Sequence, residues 1–268
     1  MSNATQTLLS AQLERQLRNE QLADRIANRN YQDEVTGPED TVRILTAQNG
    51  TVSDYTGGSV AVDSQPTLPL AQLAMDHKKV FSFSVDGDTN VTRYAQQLAN
   101  ETFAEVLEEA DIRILSESTN AGTDFGTFTS GTDAVEDLFG SARSSLTNQG
   151  TPQNGRTAVV PPSVGTEVYK KIQERQSQRG DEQLQRTSIG RYFGFEVFER
   201  PESFFAVSNT NPLSLFSHRD AITYADAVVS VQVLTEVEGR PGSVVIQGLH
   251  IAGAVTVKAD AMVKAEIA

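Results

Sequence analysis

Residue types that commonly do chemistry are sparse in this chain, and their spacing assembles no familiar constellation. The three histidines, His77, His218 and His250, lie far apart, and none stands in a metal-binding spacing such as H-E-x-x-H. Each reads as a structural histidine. There is no G-x-S-x-G elbow for a nucleophilic serine, no G-x-x-x-x-G-K-S/T loop for phosphates and no G-x-G-x-x-G turn for a dinucleotide. The absence of cysteine removes disulfides, thiolate metal sites and thiol nucleophiles together. Asp86, Asp88 and Asn90 are spaced like the start of a calcium loop. However, Val91 occupies the position of the required glycine and Gln97 that of the bidentate glutamate, so the segment reads as a turn that starts a helix. Glu108-Glu109 falls on a polar helix face. Lys78-Lys79 and Lys170-Lys171 are too small to make a nucleic-acid patch. The glycosylation-type triplets at Asn3, Asn49, Asn90 and Asn100 carry weight only in a secreted chain. The expectation is therefore no catalytic residue, no cofactor and no metal.

With 268 residues, 38% hydrophobic, 7% aromatic and 21% charged, the composition is that of a polar folded protein with enough chain for one large domain or two small ones. The formal charge of −13 argues against broad electrostatic binding to nucleic acid or to anionic membranes. No stretch approaches the roughly 18 apolar residues of a membrane span, and Met1 to Arg29 reads as a polar helix rather than a signal peptide. A cytoplasm is the expected folding compartment.

Leu9, Leu13, Leu17, Leu22 and Ile26 recur every four or five residues, predicting a helix over 4–29 with a narrow apolar stripe. Such a stripe anchors no core alone, so the segment reads as an arm on a partner or as a solvated leader. Thr41 to Ile44 alternates as a strand. Residues 47–75 mix glycine and proline with scattered Val and Leu, and Asp76 to Val85 alternates again, placing Phe81, Phe83 and Val85 on one face. This describes a long extended β-excursion. From Val91 to Ile114 the apolar residues repeat at i, i+3, i+4 and i+7 around Tyr94, Leu98, Phe103, Val106 and Ala110. The opposite face carries Arg93, Gln97, Glu101, Glu105, Glu108 and Arg113, and the whole predicts one helix of about 25 residues. Residues 116–132 read as a linker.

Asp133 and Glu136 suggest a capping box for a helix burying Val135, Leu138, Phe139, Ala142 and Leu146. A buried strand over 157–160 ends at Pro161-Pro162, and Ser163 is placed to cap a helix to about Gln176. After a charged loop at 177–188, strands are expected at 193–199, 204–207, 213–216, 221–224, 227–238 and 243–258. The excursion carries Val52, Tyr55, Val60, Val62, Leu68, Leu70 and Leu73 with no evident local core, which implies neighbouring subunits.

In this order, four passages resemble the major capsid protein of tailed double-stranded DNA viruses, with its Hong Kong 97-type fold. They are Asn28-Arg29-Asn30-Tyr31 followed by Asp40 to Ile44; Gly155-Arg156-Thr157-Ala158-Val159-Val160-Pro161-Pro162; Ile189 to Phe198; and Asp220 to Ala225 with Gly248 to Ala254. The resemblance implies an α+β fold. Residues 1–36 would be an N-terminal arm and 37–86 an extended β-loop over a neighbouring subunit. Residues 87–131 and 225–252 would form a peripheral domain with a long spine helix, and 132–224 and 253–268 an α/β axial domain.

The implied function is structural: self-assembly into pentamers and hexamers of an icosahedral head that encloses double-stranded DNA without sequence-specific binding. The implied partners are other copies of the chain, a scaffolding protein, a portal and a decoration protein, with no membrane. The implied location is the virion, with assembly in the host cytoplasm. Candidate subunit contacts are Val52, Tyr55, Val60, Val62, Leu68 and Leu70 on the loop and Leu9, Leu13 and Leu17 on the arm. The nearest alternative is an encapsulin-like nanocompartment shell. An enzyme or a sugar-binding β-protein is a third class, opposed by the missing catalytic constellations and the missing export signal.

Overall fold

The computed structural model describes residues 22–35, 37, 39–45, 70–86, 91–176, 189–234 and 243–268. Its largest element is a seven-stranded mixed sheet ordered β4-β12-β9-β5-β7-β6, with the short β8 paired to β9. Its strands are β4 (Thr123–Phe128), β5 (Arg156–Val160), β6 (Gly190–Tyr192), β7 (Phe195–Glu199), β8 (Val207–Ser208), β9 (Asn211–His218) and β12 (Met262–Ile267). All five residues of β5 are buried, as a near-continuous β-branched run requires when both faces of a sheet are covered. Alternation along the strand divides them: Ala158 and Val160 join one core and Val159 another.

The first of these cores lies beneath two helices, α3 (Val135–Asn148) and α4 (Pro162–Gln176). Phe139 of α3 meets Tyr192 and Phe216 edge-on, with ring centroids 5.1 Å away in each case. The five residues predicted to face inward on α3 are all buried. The capping box is not formed: Ala134 holds the N-cap position, and Asp133 Oδ2 instead accepts from the Thr129 N–H at 2.7 Å. Nor does Ser163 cap α4, because the helix begins at Pro162, whose missing N–H costs nothing in the first turn.

The single strand expected over 193–199 is a hairpin, β6 to β7. Phe193 (φ 51°) and Gly194 (φ 92°) form its two-residue turn, the left-handed pair that matches strand twist. The linker expected over 116–132 is structured as well. It holds a 3-10 turn, Glu117–Asn120, and β4, which runs parallel to β12 with Phe128 in the core. Its Ser/Thr/Gly composition concealed an edge strand whose partner lies some 140 residues away in sequence.

The second sheet is ordered β10-β11-β3, from β10 (Ile222–Leu234), β11 (Ser243–Thr256) and β3 (His77–Asp86), all antiparallel. The strands expected at 221–224 and 227–238 are thus one, with a bulge between Val228 and Ser230. Across one face lies α2 (Val91–Ser116), which buries Val106, Leu107, Ala110, Ile114 and Leu115 and exposes Glu101, Glu105 and Glu108. The side chains of Tyr94, Leu98 and Phe103 lie outside the described residues. Gly248 gives the Phe81 ring its place on this face, because any Cβ there would collide with it.

Across the other face lies a two-stranded antiparallel ribbon, β1 (Thr41–Leu45) and β2 (Leu70–Ala74), with Thr41 opposite Ala74 and Leu45 opposite Leu70. Gly253 lets the ribbon approach, since a Cβ there would strike the Ala74 carbonyl. Val42, Ile44, Leu73 and Met75 pack with Ala225 and Ile251. Leu73 therefore finds its core within its own chain, not on a neighbour as expected.

Of the helix expected over 4–29, the described part is α1 (Ala23–Ile26). The chain is already extended at Ala27 and bridges β10 at Asn28. Leu22, Ala23, Ile26 and Ala27 are buried beside Ile114, Leu215 and Tyr224. This end of the arm is part of the subunit core, which corrects the expectation that it rests on a partner or in solvent.

Candidate functional site

Among the described residues, no group of three His, Cys, Asp or Glu side chains is placed to hold a metal ion. Buried polar chemistry gathers instead at three seams, where the arm, the long helix and the two sheets meet.

The first seam fastens the arm to β10. The Asn28 N–H donates to the Ile222 carbonyl at 2.8 Å, and the Tyr224 N–H donates to the Asn28 carbonyl at 3.0 Å. The next residue, Arg29, reaches inward, donating to Asp24 at 2.7 Å and to Gln32 Oε1 at 3.0 Å, and forming an ion pair with Asp226. Its guanidinium carbon lies 5.5 Å from the centre of the Tyr224 ring. Gln32 accepts from the Asp226 N–H at 3.1 Å and donates to the Asp226 carbonyl, and His250 Nε2 lies 3.4 Å from Asp226 Oδ2. Burial opposes the charge on Arg29, but Asp226 and Asp24 outweigh it and hold its pKa above the ordinary arginine range. Tyr224 is enclosed completely, and burial pushes its phenol far up. Its hydroxyl has no hydrogen-bond partner among the described residues.

The second seam fixes the end of α2 between β3 and β11. Arg113 donates to Asp76 at 3.1 Å, to Glu117 Oε1 at 2.8 Å and to the Ala254 carbonyl at 2.9 Å. Glu117 Oε2 accepts from the N–H and hydroxyl of Thr256 at 3.1 and 2.9 Å. Burial works against the Arg113 charge, and its bonds to Glu117 and Asp76 more than offset this. One turn earlier on α2, Glu109 lies 3.0 Å from Lys79 and 3.4 Å from His77, whose pKa is lowered by burial and then by Lys79.

The third seam joins α2 to the seven-stranded sheet, where Arg200 Nε donates to Asp111 Oδ2 at 2.9 Å. Burial pushes the Asp111 carboxyl up to about 6, against the downward pull of Arg200.

Together the seams join the described end of the arm, the long helix and the two sheets. Leu70, at the start of β2, pairs with Leu45 at the end of the ribbon that adjoins residues 46–69. Val52, Tyr55, Val60, Val62, Leu68, Leu9, Leu13 and Leu17 lie outside the described residues. Arg29, Asp226, Asp111 and Arg200 were not singled out from the sequence. Only the arm passage containing Arg29 stood out there, because Arg29 and Asp226 are 197 positions apart.

The class defined by this arrangement of sheets, helices and ribbon is the phage-capsid fold, as the resemblance in the sequence implied. A structure from Mycobacterium phage Che8 matches 92% of this chain and 91% of its own, with a TM-score of 0.67 and 21% identity. The asymmetric unit of the bacteriophage PhiM1 mature capsid matches 92% and 87%, with a TM-score of 0.61 and 12% identity. A virus-like particle from Pyrococcus furiosus matches 98% and 99%, with a TM-score of 0.58 and 10% identity. At these identities the likeness is one of fold. No protein-family model and no curated protein sequence matches the chain.

Proposed function

We propose that this chain is the major capsid protein of a tailed double-stranded DNA virus, assembling into pentamers and hexamers of an icosahedral head around packaged DNA. The observation that carries this reading is the match of about nine tenths of the chain to a mature phage capsid subunit. In this proposal residues 1–36 are the arm and 37–86 the extended loop, with the β1–β2 ribbon as its root. Residues 87–131 and 225–252 make the peripheral domain, with α2 as its spine. Residues 132–224 and 253–268 make the axial domain, and β4, near the end of the 87–131 stretch, meets it by pairing with β12. The contacts between copies run through Val52, Tyr55, Val60, Val62, Leu68 and Leu70 on the loop and through Leu9, Leu13 and Leu17 on the arm.

A charge of −13 suits a wall that must not hold its genome so tightly that packaging or ejection stalls. A scaffolding protein, a portal and a decoration protein are the proposed partners, and assembly takes place in the host cytoplasm. Negative-stain electron microscopy of the purified protein tests this directly. Closed shells or capsomer rings are expected, and a uniformly monomeric protein under all assembly conditions would overturn it.

A nanocompartment shell is the second reading, favoured by the near-complete match in both directions to the Pyrococcus furiosus particle. Genes for a portal and a terminase beside this one support the viral head, whereas an adjacent cargo enzyme supports the compartment.

A further inference from the structure

Between α3 and β5 the chain makes an exposed turn through Gln153, Asn154 and Gly155. Four hydrogen bonds from three residues fix its backbone. Arg156, itself buried, donates to the Pro152 carbonyl at 2.9 Å and to the Thr151 carbonyl at 2.6 Å. The Arg219 N–H donates to the Gly155 carbonyl at 3.0 Å. His218 Nε2 lies 2.9 Å from the Asn154 carbonyl oxygen. His218 Nδ1 accepts from the Asp220 N–H at 3.2 Å, which assigns the ring proton to Nε2 and makes His218 the donor to Asn154. Gly155 has φ +80° and an ideal Cβ there would lie 3.3 Å from His218 Nε2, so the position favours glycine. Its N–H has no hydrogen-bond partner among the described residues.

We propose that Asn154-Gly155 is a site of self-modification, at which His218 promotes conversion of Asn154 to aspartate and isoaspartate. The Gly155 nitrogen loses its proton to water or hydroxide and attacks the side-chain carbonyl carbon of Asn154. That carbon–nitrogen bond forms, the side-chain amide leaves as ammonia, and a five-membered succinimide remains. Water then opens the ring at either carbonyl, giving aspartate or isoaspartate.

The nucleophile is the nitrogen of the Asn154–Gly155 peptide group, so its developing charge spreads onto the Asn154 carbonyl oxygen. That oxygen is the one to which His218 donates. A donor fixed on the atom where negative charge develops lowers the barrier. Glycine in the second position leaves the attack sterically open, and exposure admits water. His218 touches the reacting peptide group and acts here as an electrophilic assistant. Conversion adds one negative charge and, in the iso product, one backbone methylene between α3 and β5. In a shell that persists without turnover, the change would accumulate with age.

The test is peptide mapping of the full-length protein held at neutral pH and 37 °C. Trypsin releases residues 144–156 as one peptide, in which Asn148, followed by Gln149, is an internal control. Asn154 should convert at least about tenfold faster than Asn148, corresponding to roughly 1.4 kcal/mol of barrier. His218→Phe removes the donor and should slow Asn154 at least about threefold, while His218→Gln keeps an N–H donor and should retain most of the rate. Equal conversion at Asn154 and Asn148 overturns the site. Equal rates in the parent and in a folded His218→Phe protein overturn the role of His218. If His218→Phe does not fold, the same comparison is made with His218→Gln against His218→Leu, and equal rates there overturn that role.

Discussion

Tyr224 buries a hydroxyl beside the Arg29–Asp226 pair with no partner among the described residues, and a buried unpaired polar group costs free energy. Tyr224→Phe should therefore leave thermal stability unchanged or raise it by up to about 1 kcal/mol, measured by denaturant melts. Arg29→Met acts in the opposite direction, because it strands Asp226 in the interior. A loss of about 3–5 kcal/mol is expected.

Asp111 makes a prediction about pH. Its folded pKa of about 6 lies above the unfolded value of 3.8, so between these values the folded chain binds more protons than the unfolded chain. Stability from this group therefore rises as pH falls through about 6 and levels off below 3.8. Asp111→Asn removes the effect. From pH 8 to pH 4, its stability relative to the parent should decline by on the order of 2–3 kcal/mol. Parallel stability curves for the two proteins would refute the assignment of this carboxyl as the titrating group.

At the scale of elements, the described ribbon belongs to the chain's own core. Val42, Ile44 and Leu73 are buried in the subunit's own core, so Leu73→Ala should cost about 2–4 kcal/mol even in a dissociated subunit. In contrast, replacing residues 48–68 by a short Gly/Ser turn leaves every contact of the described core in place. That variant should keep the circular dichroism and melting of the parent but fail to close shells in sedimentation. Unfolding of the variant, or normal shell yield, would show that the loop has a different role. On α2, Val106→Asp places a charge against the second sheet, and a loss of several kcal/mol is expected, while Glu105→Gln on the exposed face should be neutral.

At the scale of the whole molecule, the described residues form cores under α3 and α4, between the large sheet and the arm, and between the second sheet and the ribbon. Charge pairs cross the boundaries between these layers, largely buried at Arg29–Asp226 and Arg200–Asp111 and open to solvent on the carboxylate side at Arg113–Asp76. A subunit built this way suits the proposed shell, since forces applied to the arm or the loop reach the whole body. Cross-linking and mass analysis of assembled particles should place the loop leucines and valines within reach of a second copy. Cross-links confined to one chain would count against the proposed contacts.

Periodic local patterns were legible without coordinates. The long helix, the five inward residues of α3, the buried strand before Pro161 and the pairing of two long C-terminal runs all follow from alternation or 3.6-residue repeats, which act over a few neighbours. The resemblance in four short passages implied the fold. Other features depend on residues distant in sequence. Composition made β4 read as a linker because its order comes from β12. The two-residue turn at Phe193-Gly194 divided a run that looked continuous. The pairs Arg113–Asp76, Arg200–Asp111 and Arg29–Asp226 join residues 37, 89 and 197 positions apart, and no local pattern encodes which arginine meets which carboxylate. Short-range sterics and hydrophobic periodicity write the elements into the sequence, whereas burial and electrostatic pairing are settled only when distant segments share the same dry interior.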